Sequence, residues 1–153
     1  MNALIKQLSA GGFIEAIDAG TDQVIKNIKR AKHDIKDGQA TLAINPELTF
    51  NCAYNAMLHA GRALLFCYRY RPRNGQQHLT VVRFSEAVLG NKYQVLTIKY
   101  NKIRQKRNTF LYDVPDWDIS EQEATDALKT SKEFVEKIIE VIEHHDPQMK
   151  MKL

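Results

Sequence analysis

Residues 104–113 carry the densest group of side chains that can bind a phosphate, and they read R-Q-K-R-N-T-F-L-Y-D. If the segment is helical, four polar side chains lie three or four positions apart on one face: Arg104, Arg107, Asn108 and Tyr112. Arginine matches phosphate geometry through paired hydrogen bonds, and the amide and phenol groups add further donors. The alternative is a solvated basic face that complements the helix dipole near a C-terminus. The spacing alone leaves both interpretations open.

Positive charge is concentrated in the same region of the chain, although the net charge is only +4. Residues 97–108 contain no acidic side chain and five basic ones: Lys99, Lys102, Arg104, Lys106 and Arg107. Residues 113–143 are instead rich in Asp and Glu. This asymmetry indicates an anionic partner on one face, and it adds Lys102 and Lys106 to the candidate phosphate-binding residues.

A second polar group interrupts the most apolar stretch of the sequence. Asn55, His59 and Arg62 follow a four-then-three spacing, so a helix places them on one face. Such side chains need partners, because an unpaired buried charge is costly. In one interpretation His59 is hydrogen-bonded within the core, and Arg62 pairs with an acid such as Glu86 or one on the last helix. In the other, this face meets the stripe that contains Arg107, and the two form one cleft.

Length and composition predict a single globular domain over residues 1–153, with 44% hydrophobic and 26% charged residues. Cys52 and Cys67 fall in one predicted helix, so we expect buried reduced thiols and no bridge. No apolar stretch can cross a bilayer and the N-terminus lacks signal-peptide features, which predicts a cytoplasmic protein without membrane contact. His144 and His145 lack ligand-like spacing and no glycine-rich phosphate loop is present, so we expect no metal and no cofactor.

Apolar residues recur at helical rather than strand spacing along the chain. The pattern predicts broken helices up to Ile17, a loop at 71–75, a frayed tail at 147–153, and helices at about 22–42, 47–70, 79–89, 93–112 and 121–145. Boundary signals support these limits: Asn45-Pro46, the Gly90 stop, and the Ser120/Glu123 capping box. Together they predict an all-α, up-and-down bundle of about five main helices.

Residues 54–65, which read Y-N-A-M-L-H-A-G-R-A-L-L, resemble the "YYAMFHAARALL" helix of the HEPN superfamily, in particular a branch of small bacterial and archaeal proteins. In that family a helix ending in an Arg motif, "R-N-x-x-x-H" in one form, precedes a turn and an "S-x-E-x-A" helix. Here R-N-T-F-L-Y-D at 107–113 precedes I-S-E-Q-E-A at 119–124. The resemblance covers roughly residues 22–143, in the same order.

The resemblance implies a HEPN-like helical bundle that forms homodimers, with the Arg motifs of two subunits in a shared cleft. In active members the Arg steadies the scissile phosphate of RNA, and the His transfers a proton during attack by the ribose 2′-hydroxyl, without a metal. This chain has Tyr112 where that His is expected. An ordinary tyrosine has a pKa of about 10 and is a poor base at pH 7. We therefore expect degenerate catalysis, with Tyr112 or His59 as the substitutes.

Three functional hypotheses follow. The favoured one is a HEPN-type protein that binds RNA or a nucleotide, or docks a minimal nucleotidyltransferase antitoxin, through Arg104, Arg107 and Asn108, with Arg62, Lys102 and Lys106 beside them. The second is a metal-independent ribonuclease of a toxin-antitoxin system, with Arg107 as phosphate clamp and Tyr112 or His59 in proton transfer. The third is a structural homodimer with no nucleic-acid role.

Overall fold

The computed structural model describes residues 2–18, 20–109 and 118–153, and these form a mostly helical protein. The described residues contain six α-helices: α1 (Ala3–Ala10), α2 (Thr21–Thr41), α3 (Pro46–Cys67), α4 (Gln77–Leu89), α5 (Gln94–Asn108) and α6 (Glu121–His145). Two short strands, β1 (Ile14–Ala16) and β2 (Tyr70–Pro72), pair antiparallel. The expected all-α class is therefore confirmed at the level of a helical bundle.

Helix α3 lies at the centre of the bundle, as its apolar sequence predicts. The Asn45 side chain accepts a hydrogen bond from the Leu48 amide and Pro46 occupies the first turn, so the helix begins where these residues favour it. Most of its side chains are buried, including Ala53, Ala60 and Leu64. Helices α2 and α6 pack along its length, and α4 and α5 cover a third side.

Helices α3 and α4 run in the same direction, which departs from the expected up-and-down order. Tyr54, in the first half of α3, contacts His78 in the first turn of α4, and Tyr68, directly after α3, lies against Phe84 in the second half of α4. The connecting segment carries the chain back along the bundle, and its strand β2 pairs with β1 on the way. The chain therefore enters α4 beside the first half of α3.

The sheet was not expected, since residues up to Ile17 were predicted as broken helices and residues 71–75 as a loop. Gly12 has a φ of 74°, a conformation that favours glycine and turns the chain out of α1. Helix α3 ends at Cys67, three residues before the predicted end at Tyr70. Arg69 has a φ of 61°, which is incompatible with a continued right-handed helix. Three residues on each side then form the ladder.

The C-terminal residues also differ from the expected frayed tail at 147–153. A 3₁₀ helix spans Pro147–Met151, and the Asp146 side chain accepts a hydrogen bond from the Gln148 amide at its start. Met149 is buried in the main hydrophobic cluster. Burial of this apolar side chain holds the segment against the bundle.

Both cysteines lie in α3 as free, half-buried thiols. Burial raises the pKa of Cys67 to about 11, so this thiol stays protonated at neutral pH. None of the helices in the described residues combines the length and the hydropathy needed to cross a membrane.

We expect Gly61→Ala to lower the free energy of unfolding by about 1–3 kcal/mol, because overpacking a dense core has that effect. A Cβ at this position would lie 2.3 Å from Cγ1 of Val81, which is fully buried and stiff at χ1. The matched control is Gly75→Ala, where a Cβ meets no atom within 4 Å. Urea unfolding of the two variants makes the comparison, and equal stability would contradict this account of the α3–α4 contact.

Candidate phosphate-binding site

The C-terminal end of α5 lies beside the N-terminal end of α4, and a cavity of about 360 Å³ opens between them. Three side chains of the predicted stripe line this cavity together, namely Arg104, Arg107 and Asn108. The opposite wall is the loop and first turn of α4, residues 75–79. None of the lining residues in the described ranges is acidic. Tyr112 lies outside the described residues.

Arg107 is held in place by α3. Its Nε donates a hydrogen bond to Oδ1 of Asn51 at 3.1 Å, and its guanidinium carbon lies 4.7 Å from the centre of the Tyr54 ring. The second contact is a cation–π interaction, which favours one orientation of the guanidinium plane. A guanidinium has five N–H donors, and within the described residues only Nε is used. The other donors have no partner in the part of the chain that the structure describes.

Arg104 is oriented from its own helix. Its Nε donates to Oδ1 of Asn101 at 3.0 Å, one turn earlier in α5. The side chain is half-buried. Arg104 and Arg107 therefore both line the cavity while their Nε groups bind asparagine side chains.

His78 belongs to the same site, although sequence reasoning did not select it. It lies in the first turn of α4, and its Nδ1 is 2.7 Å from the hydroxyl of Tyr54. Burial lowers its pKa below the ordinary value of 6.5, and the positive charges of Arg107, Arg62 and Arg104 lower it further. The imidazole is therefore neutral at pH 7. A single histidine after a polar loop gives no sequence signal, because the site forms only when α4 returns alongside α3.

Arg62 approaches the site from α3 without the expected ion pair. Within the described residues its Nε is buried and has no hydrogen-bond partner. Glu86, the acid proposed for it, pairs instead with Arg83 at 2.8 Å on the surface of α4. Of the two partners expected for Arg62, Glu86 is therefore wrong, because Arg83 lies one turn away on α4, and the described residues show no ion pair of Arg62 with an acid of α6 either. A buried donor without a partner is rare and marks a place for water or a ligand.

His59 is hydrogen-bonded to a partner within the bundle, as the first of the two interpretations of this residue predicts. Its Nδ1 is 2.8 Å from Oδ2 of Asp34 on α2, and Nε of Arg30 is 3.2 Å from the other carboxylate oxygen. The Asp34 side chain is 3% exposed, whereas that of His59 is 24% exposed. The carboxylate fixes the orientation of the imidazole, which lies on the same face of α3 as Asn55.

The structure does not bring Lys102 and Lys106 to the cavity. Lys106 forms an ion pair with Glu123 on α6. Lys102 lines a separate groove of about 430 Å³ between α5 and α6, together with Lys99. The basic residues of α5 are thus divided between two sides of the helix.

The part of the chain that the structure describes holds no group of three or more His, Cys, Asp or Glu side chains that could bind a metal ion. The His145 ring instead stacks on Tyr68, with 4.1 Å between ring centres.

No family model matches this chain, and no curated protein matches it.

The His78 pKa should rise toward 6.5 in Arg107→Gln, because the substitution removes a neighbouring positive charge. A pH titration of the imidazole carbon-bound protons by NMR measures it. Lys99→Gln is the control, since it removes one charge from the other side of α5. An unchanged titration midpoint of His78 in Arg107→Gln would contradict the site geometry.

The lowered pKa of His78 also affects stability. Because the unfolded state binds this proton more tightly, His78 lowers the free energy of unfolding as the pH falls below 6.5 and through the folded pKa.

Proposed function

We propose that the protein binds RNA or a nucleotide through phosphate groups, as a HEPN-type binding protein with degenerate catalysis. The contact surface is the arginine cluster, which we define as Arg62, Arg104 and Arg107 around His78. One observation carries the proposal. All three guanidiniums lie close enough to His78 to lower its pKa, and no acidic side chain among the described residues lines the cavity.

Electrostatics support an anionic ligand at the arginine cluster. Like charges near one another repel, and a partly buried site screens that repulsion less than bulk water does. A phosphate relieves it and accepts hydrogen bonds from several guanidinium groups at once. The Arg107 donors and the Arg62 Nε that have no partner among the described residues fit this role.

The HEPN resemblance supports the same location. Its two segments are the α3 sequence at 54–65 and the Arg-Asn sequence that begins at Arg107. The first segment supplies Tyr54 and Arg62, and the second supplies Arg107 and Asn108. Tyr54 and Arg107 are in direct contact, so residues far apart in sequence contribute to one site. In the homodimer that the resemblance implies, two copies of this site face each other.

We expect Arg107→Gln to weaken binding of a short single-stranded RNA about tenfold or more, measured by fluorescence anisotropy. A hydrogen bond to a charged group contributes about 1.5–3 kcal/mol, and about 1.4 kcal/mol corresponds to a factor of ten. The dependence of the dissociation constant on salt should also become shallower, because fewer counterions are released.

The matched control for this measurement is Lys99→Gln, which removes one charge from the same helix at the separate α5–α6 groove. Equal weakening by both substitutions would mean that overall charge, and not the arginine cluster, attracts the RNA. If neither the RNA nor a mononucleotide binds to the wild-type protein, the proposal is rejected. Partner docking or a structural homodimer would then be the working account.

A metal-independent ribonuclease is the second candidate, and the Asp34–His59 pair favours it. A carboxylate that accepts the Nδ1 proton leaves Nε2 of the imidazole as the proton acceptor, which is the arrangement of a general base. In the reaction a base removes the ribose 2′-hydroxyl proton, and the oxygen attacks phosphorus. The 5′-oxygen then leaves with a proton from an acid. His59 is the base that its contact with Asp34 favours, whereas His78 is the histidine that lies among the three arginines.

If the protein cleaves RNA, the reaction should proceed in EDTA and leave a 2′,3′-cyclic phosphate and a 5′-hydroxyl. We expect His59→Gln to slow it by about 10²-fold or more, the usual contribution of acid–base catalysis. His33→Gln is the control, because His33 is an exposed histidine of α2 whose nearest acid is Asp37. If the wild-type protein leaves the RNA intact, the ribonuclease candidate is rejected, and the proposal that the protein binds RNA or a nucleotide is unaffected.

A further inference from the structure

The positive charge of α5 is divided between two places. Lys99 and Lys102 line the groove against α6, whose described wall also contains Glu123, Asp126 and Glu133. Lys106 pairs with Glu123. A strand of RNA that follows α5 would therefore meet a mixed surface on that side. On the α4 side, Arg104 and Arg107 instead line a cavity whose described walls contain no acidic side chain.

These arginines converge on one point instead of forming a track. Arg104 and Arg107 line one cavity, and Arg62 reaches His78 from α3. An RNA strand presents singly charged phosphates one after another, and a protein that follows it spreads its cations along the backbone. A terminal phosphate has a second pKa near 6 and carries close to two negative charges at pH 7. Several guanidiniums at one point match this more concentrated charge.

The first turn of α4 adds donors at the same place. Gln76 precedes the helix, and its side chain makes no capping hydrogen bond. The first backbone hydrogen bond of the helix runs from the Thr80 amide to the Gln76 carbonyl. The preceding amides of a first turn have no helical acceptor, and they carry partial positive charge. Residues 76–79 line the cavity opposite Arg104 and Arg107. Hydrogen-bond donors therefore line both walls of the cavity.

We propose that this site recognises a terminal phosphate, the phosphomonoester at the end of an RNA strand or of a mononucleotide, in preference to internal phosphodiesters. The inference rests on the proposed function and specifies its ligand class. Arg104 and Arg107 bind the phosphate oxygens from one wall, and the first turn of α4 binds them from the other. Neutral His78 offers one more hydrogen bond without changing the charge of the site.

The test compares one internally labelled single-stranded RNA in three forms: with a 5′-phosphate, with a 3′-phosphate, and with hydroxyl groups at both ends. Adenosine monophosphate and adenosine serve as unlabelled competitors, and inorganic phosphate shows whether the phosphate alone suffices. We expect one phosphorylated end to bind about tenfold tighter than the hydroxyl form, and the monophosphate to compete where adenosine does not. Arg107→Gln should abolish the difference, while Lys99→Gln should preserve it.

The outcomes separate this inference from the function on which it rests. If all three RNAs bind equally well and Arg107→Gln weakens them equally, end recognition is wrong and RNA binding stands. If no RNA binds but adenosine monophosphate binds in an Arg107-dependent way, as isothermal titration calorimetry measures directly, the site takes mononucleotides only, and recognition of RNA ends is wrong. If neither RNA nor monophosphate binds, both proposals fail. Circular dichroism of each variant ensures that a loss of binding is not a loss of fold.

Discussion

The parallel, close packing of α4 on α3 is the constraint on which the site depends. Gly61 permits it, because a side chain there would overlap Val81. Two turns earlier on α3 stands Tyr54, whose hydroxyl lies 2.7 Å from His78 in the first turn of α4. The contact that completes the core therefore also places the histidine. A wider spacing of the two helices would separate His78 from Tyr54 and from the arginines around it.

Tyr54 links the packing of the bundle to the chemistry of the cavity. Its ring is fully buried and lies beside that of Tyr100, also fully buried, with 6.2 Å between centres. The same ring carries the Arg107 guanidinium at 4.7 Å. An arginine that is stacked and bonded to Asn51 has lost most of its rotamer freedom before any ligand arrives. Less conformational entropy of the side chain is then lost when a ligand binds, so the affinity is higher for the same contacts.

The sequence predicts the elements of this protein better than their arrangement. Helical spacing, the Asn45 cap and the Ser120/Glu123 capping box locate the helices well, because these signals are local. The shared face of Arg104, Arg107 and Asn108 follows from helical periodicity alone. The parallel return to α4 depends on strand β2, and three residues of extended chain give little periodic signal. His78 could not be selected for that reason, and the ion pair of Lys106 could not be predicted because Glu123 lies on another helix.

The imidazole of this site comes from α4, whereas the ribonuclease motif that the chain resembles carries its histidine on the same segment as the arginine. This origin changes the electrostatics. His78 lies among three guanidiniums that keep it neutral at pH 7, so it adds no charge to the attraction of an anion. The pull on a phosphate then comes from arginines, which do not titrate in the physiological range. Ligand binding at such a site should depend strongly on salt and weakly on pH above 6.5, because protonation of His78 adds charge only below that value.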